Sequence, residues 1–227
     1  MHGMAMRIST NSNNNAAPAP TLMLTLAALA LVCAAGVAAL WHGTMGFEVV
    51  STEDGRRLSV ARQPVPVPAV AVHAPQADTL AHLLAADGRV AIVSFIYSSC
   101  SAVCSVLGGE FQQLQDQIRR RGLEYQIRLL SISFDPRDTP AVLKSYAQRQ
   151  HAAPHLWSMV AVDRDGQRQA LLDTFGIVIL PAPMGEFQHN AAFHLIDRHG
   201  HLVRIMDYED PSAALDQAAA LARGGAL

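Results

Sequence analysis

Cys100 and Cys104 are two of only three cysteines in the chain. They sit in the stretch YSSCSAVCSVLGGEF, residues 97–111, as a C-x3-C pair. Three kinds of chemistry compete for such a pair: inert packing, thiol–disulfide exchange and metal binding. If a helix begins near Cys100, a turn of 3.6 residues and a rise of about 1.5 Å per residue put both on one face, with Cα atoms about 6 Å apart. That separation lies within the usual disulfide span of about 4.4–6.8 Å, and it equally lets two thiolates clasp one ion. A helix N-terminus offers free amide N–H groups and a positive dipole end, which favour the thiolate. Ser98, Ser99, Ser101 and Ser105 make the turn polar. The cysteines also continue the stripe of Leu107, Phe111, Leu114 and Ile118, and a free cysteine packs as a small hydrophobe. Gly108 and Gly109 each cost about 1 kcal/mol against alanine inside a helix, which suits close approach by another segment.

A soft-metal site needs more than two thiolates, and the chain has ten histidines to offer. His2 is in the N-terminal tail and His42 at the end of an apolar run. His151 and His155 flank a loop, and His199 and His201 mark a hairpin turn. His189 follows the irregular stretch LPAPMGEFQ, just before a strand, where a histidine can serve structure or ligation.

The elements that must position these groups follow from the pattern. A formal charge of −2 and the lack of a basic cluster argue against a nucleic-acid partner. Half the residues are hydrophobic, enough for a sizeable core. Residues 1–20 are Asn- and Ala/Pro-rich and predict a disordered tail. Its opening MHGMAM carries copper-friendly types in too short a run to define a site. Residues 21–41 carry no charge and end in Trp41, as a transmembrane anchor would. The run is longer than an ordinary signal-peptide core, and no clean A-x-A site closes it. Arg7 on one side and Arg56 and Arg57 on the other leave orientation almost unmarked. Cys33 lies inside the run without a lipoprotein signature. Residues 42–60 predict a linker, and 61–227 a folded domain.

Within that domain, QPVPVPAVAV suits an extended edge strand. ADTLAHLLAADG predicts a short helix closed by Gly88. RVAIVSFIYS, IRLLSISF and LWSMVAVD are the near-continuous apolar runs of strands covered on both faces. The stretch DTPAVLKSYAQRQ opens a helix, with Asp138 or Thr139 as cap and Pro140 at its first position. QRQALLDTFG predicts a helix closed by Gly176. AAFHLIDRHGHLVRIM predicts a hairpin, and PSAALDQAAALAR a terminal amphipathic helix. Strands alternating with helices, then a hairpin and a helix, make an α/β domain with a mixed central sheet. A cysteine-bearing turn leading from the first core strand into a helix is the layout of a thioredoxin-like fold.

Four features together resemble the Sco/SenC family: VSFIYSSCSAVC, SISFDPRDTPAVLKSYA, GEFQHNAAFHLIDRHGHLVRI and the single N-terminal anchor. The resemblance covers roughly residues 60–225. It implies a thioredoxin-like domain tethered outside the bacterial cytoplasmic membrane, on its periplasmic side. It also implies copper binding and help in loading the copper centre of cytochrome c oxidase. The family's cysteine pair falls on Cys100 and Cys104, its metal-binding histidine on His189, and the aspartate of its S-x-D-P element on Asp135. Asp135 would then shape the site from behind the ligands. The sequence departs from the family at three places. Ser105 replaces the usual proline, DPRDTP is a residue shorter than in many members, and Asn190 replaces the usual serine.

Copper(I) suits two thiolates and an imidazole, so Cys100, Cys104 and His189 would form a three-coordinate site; copper(II) could take the same ligands with a further donor. The expected partner is the copper-binding subunit of an oxidase, or another copper or thiol protein. The alternative is a periplasmic thiol–disulfide oxidoreductase using the same cysteines. A peroxidase, a zinc site and a binding module without metal are weaker readings. Zinc's structural sites ask for four ligands.

Overall fold

The computed structural model describes residues 20–44, 51–74, 77–99, 103–162 and 165–224. The MHGMAM segment lies outside them. The chain divides into two units, Met1–Thr52 and Glu53–Leu227. The first contains α1, Pro20–Gly43. Its Leu22–Gly43 segment is the one helix among the described residues long and apolar enough to cross a membrane. Large apolar side chains such as Leu24, Leu31 and Val32 are exposed along it.

The second unit holds α2 (Thr52–Arg62) from its second residue on, then β1 (Val65–Pro66), β2 (Ala71–Ala74), β3 (Ala77–Thr79) and α3 (Leu80–Asp87). The α/β alternation follows: β4 (Val90–Ile96), α4 (Val103–Arg120), β5 (Ile127–Ser133), α5 (Pro140–Arg149), β6 (Trp157–Ala161) and α6 (Asp165–Phe175). A small hairpin of β7 (Ile179–Pro181) and β8 (Phe187–His189) encloses a 3-10 turn, Pro183–Gly185. The chain closes with β9 (Phe193–Ile196), β10 (His201–Met206) and α7 (Pro211–Ala222).

Six strands form one sheet in the order β1-β10-β9-β4-β5-β6. β4, β5 and β6 run parallel, while β9, β10 and β1 join antiparallel. The sheet is therefore mixed, as the sequence predicts. Every residue of β4 and β5 is buried, because helices cover both faces. On one face Ala91, Val93, Phe95, Leu130 and Ile132 pack against α2, α3 and α6. On the other, Ile92, Leu129 and Trp157 meet the α4 stripe of Leu107, Phe111, Leu114 and Ile118, with Ala214, Leu215 and Ala218 of α7.

The local signals act where expected. Thr139 caps α5 by accepting from the Val142 N–H at 3.3 Å. Gly88 and Gly176 close their helices at positive φ. The Pro-rich stretch supplies β1 at the sheet edge. Gly108 lies against the Gln150 side chain, so a Cβ there would come within 2.9 Å of its Nε2. The close neighbour is the movable end of a glutamine, and Gly109 faces open space. Two elements go beyond the sequence reading. Much of the stretch expected as linker is α2, whose Val60 joins the core. The irregular stretch before His189 is the β7–β8 hairpin.

Candidate metal centre

The C-terminal ends of β4 and β5 point the same way, and the chain leaves them through Tyr97 and Phe134. Ligand sites of parallel sheets lie beyond such strand ends. Here Tyr97, Phe134, Phe187 and His189 gather into one aromatic cluster. The His189 ring centre lies 5.1 Å from that of Phe134 and 6.1 Å from that of Tyr97, both near edge-on. Phe187 stands edge-on to Tyr97 at 5.3 Å and to Phe134 at 5.7 Å.

The chemical state of His189 follows from its contacts. Nδ1 lies 2.9 Å from the Asn190 carbonyl oxygen. A carbonyl only accepts, so Nδ1 carries the proton. In the neutral ring Nε2 then presents a lone pair. That atom is buried and has no hydrogen-bond partner among the described residues. Burial, set against the Asn190 contact, holds the ring's pKa below its ordinary value, which keeps it neutral. A tethered Nδ1–H with an open Nε2 is the arrangement of a metal-ligating histidine. Buried polar atoms are normally satisfied, and an Nε2 left without a described partner at a strand-end rim fits a ligating role.

Two clamps hold the histidine hairpin to the sheet. The Tyr97 hydroxyl donates toward Glu186 Oε2 and the Phe187 carbonyl, each at 3.0 Å, and accepts from the Phe187 N–H at 3.3 Å. Arg137 grips both oxygens of Asp135 at 2.7–2.9 Å, donates to the Gly185 carbonyl at 2.8 Å, and lies over the Phe187 ring. Asn190 fastens the hairpin's base, accepting from the Val178 N–H at 2.8 Å and donating to the Gly176 carbonyl at 2.9 Å. The departure from serine at this position thus has a definite job.

Of the four site residues predicted from sequence, the structure describes two side chains. Cys100 lies outside the described residues. Cys104 lies in α4, and the description there covers its backbone alone. Asp135 is buried, accepts from the Arg137 N–H at 2.9 Å and holds the Arg137 guanidinium. It acts on the histidine hairpin through Arg137. Among the described residues no group of three or more His, Cys, Asp or Glu could hold a metal ion.

The residue tied to the turn before Cys100 is Asp138, which the sequence offered only as a helix cap. Its buried carboxylate accepts from the Ser98 N–H at 2.8 Å, from the Ser98 hydroxyl, and from the Ser133 hydroxyl at 2.6 Å. Neither this role nor that of Tyr97 had a local signal, since both rest on contacts between distant segments.

The family model for SCO1/SenC matches residues 75–223. The chain belongs to the SCO1/SenC family. No curated protein matches it. A SCO1/SenC family lipoprotein from Bacillus anthracis superposes with TM-score 0.56 at 20% identity, covering 70% of this chain and 98% of the other. BsSco, described as a Sco-family cytochrome c oxidase assembly protein with a disulfide switch, gives TM-score 0.56 at 20% identity, over 70% and 96%. Arabidopsis thaliana ScoI, solved with copper bound, gives 0.50 at 15% identity, over 58% and 84%. These likenesses establish the thioredoxin-like Sco fold for residues that share little sequence.

Proposed function

We propose that this SCO1/SenC member binds copper through Cys100, Cys104 and His189 and delivers it during maturation of a respiratory oxidase's copper centre. The observation that carries the reading is the open, buried Nε2 of a neutral His189, at the rim where the chain leaves β4 toward Cys100. Two thiolates and an imidazole suit soft copper(I), and copper is cargo here rather than a resident catalyst. The ring meets it without first shedding a proton. Asp138 steadies the turn that leads to Cys100, while Tyr97 and Arg137 steady the hairpin that carries His189. The solved relatives support the reading by their own descriptions, as a copper-bound protein and as an oxidase assembly protein.

We further propose that residues 21–41 anchor the chain in a bacterial cytoplasmic membrane, with 61–227 on the periplasmic side, 42–60 between them and 1–20 as a tail. The partner would be the copper-binding oxidase subunit or another copper or thiol protein.

The test is a copper(I) titration of the full chain in neutral detergent, thiols reduced, against a chelator of known affinity. One equivalent is expected to bind tightly, and Cys100→Ser, Cys104→Ser and His189→Ala are each expected to weaken it at least tenfold. Binding indifferent to His189 overturns the three-ligand site and leaves the cysteine pair to thiol–disulfide exchange.

A further inference from the structure

Away from the strand-end rim, the other end of the sheet holds an unbalanced set of charges. Asp87 ends α3, and its carboxylate serves two guanidiniums. Arg89 meets it with Nε at 2.6 Å and Nη2 at 2.8 Å. Arg128, on β5, meets the same group with Nη1 at 3.1 Å. One carboxylate therefore neutralises two cations, and one positive charge is left over. Arg89 is otherwise spent, since Nη1 donates to the Glu124 and His155 carbonyls. The surplus belongs to Arg128, which is only 5% exposed. Its Nη2 donates to the Ser158 hydroxyl at 2.6 Å, but its buried Nε has no partner among the described residues. Burial pulls its pKa below the ordinary guanidinium value, and Arg89 pushes the same way against Asp87.

A buried, half-compensated guanidinium is costly unless something completes it. Arg128 lines a cleft of about 610 Å³ between α3, α5 and the edge strand β6. The size falls in the range of small-molecule sites. Leu143, Ala147, Pro154, Trp157 and Val160 give it an apolar wall. Lys144 adds a second cation, and Asp87 is the only carboxylate among the lining residues. The cleft thus pairs an apolar wall with a net positive end.

We propose that this cleft is a binding site for an amphipathic organic monoanion, with its carboxylate paired to Arg128 and Lys144 and its apolar body against Leu143, Pro154 and Trp157. The anion supplies the second negative charge that Asp87 cannot. The site uses none of the residues at the strand-end rim, so it stands or falls independently of copper.

The probe is 2-naphthoate, titrated by calorimetry into the full chain in neutral detergent, with uncharged 2-naphthamide as the comparison. One saturable equivalent of naphthoate is expected, with the amide at least tenfold weaker. Exposed Lys144→Gln is expected to weaken naphthoate about three- to tenfold without touching the amide. Arg128→Met is expected to abolish the preference for the anion. Should that variant misfold, Lys144→Gln and the amide comparison decide alone. Equal binding of acid and amide, or naphthoate binding unchanged in Lys144→Gln, overturns the proposal. So does heat that matches the detergent blank.

Discussion

His189 on β8 and His194 on β9 are near neighbours in sequence, and burial lowers the pKa of both. Their protons sit on opposite nitrogens. His189 gives its Nδ1 proton to the Asn190 carbonyl beside it, which leaves Nε2 open at the rim. His194 gives its Nε2 proton to the Phe175 carbonyl at 3.1 Å, at the end of α6, and is packed edge-on between Phe95 and Phe175. The first ring is held by its own hairpin and keeps a lone pair in reserve. The second is spent on joining a central strand to a helix end. One side chain type thus keeps a lone pair at the rim or ties strand to helix, according to which nitrogen meets a carbonyl.

The comparison breaks most visibly with acid. The His194 pKa is lowered to about 4 by burial, against about 6.5 for the free ring. Between those values the unfolded chain binds the extra proton. Stability is therefore full above pH 6.5, falls as pH drops toward 4, and changes no further from this group below that. The expected loss is about 3 kcal/mol, from about 1.4 kcal/mol per pH unit. Chemical denaturation at stepped pH is expected to show it, and His194→Gln to flatten that slope while leaving copper(I) affinity unchanged. His189, whose pKa burial also lowers, leaves a residual slope, so only a slope undiminished by His194→Gln would assign the main acid sensitivity elsewhere.

The reciprocal experiment is His189→Ala. Copper(I) affinity is expected to fall at least tenfold, or about 1.4 kcal/mol. The acid slope of the folded chain is expected to keep its His194 component. If both variants lost stability and copper together, the division of labour between the two rings would be wrong.

Tyr97→Phe sharpens the picture on the His189 side. It removes the hydroxyl that meets Glu186 and both backbone groups of Phe187, at an expected cost of about 1 kcal/mol. Amide exchange at Phe187 should quicken, and copper affinity should fall about threefold in the parent but not in a His189→Ala background. Additive losses in the double variant would make Tyr97 a plain structural residue. The smallest effect is expected from Arg137→Lys, which keeps the charge but loses the two-pronged grip on Asp135. Faster exchange confined to the Gly185–Phe187 turn, with the melting midpoint nearly unmoved, is its expected signature.

The sequence made the scaffold legible where burial writes long patterns. β4 and β5 appear as unbroken apolar runs because both faces are covered, and the α4 stripe appears because one face is. The β7–β8 hairpin left no such trace. Its strands are three residues each, two prolines interrupt it, and its turn places Met184 at φ 61°, a conformation usually signalled by glycine. α2 was hidden by its charges and by Gly55. His189 was singled out by position and resemblance. The tautomer that fits it for a metal became visible only with the Asn190 carbonyl in place. Asp138 shows the same limit, since a cap and a long-range tether look alike in one dimension.

The Tyr97 clamp also sets an order of events. Tyr97 and His189 are more than ninety positions apart in the chain, and closing a loop of that length costs roughly 4 kcal/mol of chain entropy. Stretched out, as in a chain threading a narrow channel, the two groups would stand about 300 Å apart. They meet only once β4, β5 and β9 have closed into one sheet. A half-made chain therefore cannot hold that imidazole beside the rim, and whatever the rim receives, it receives after folding is complete.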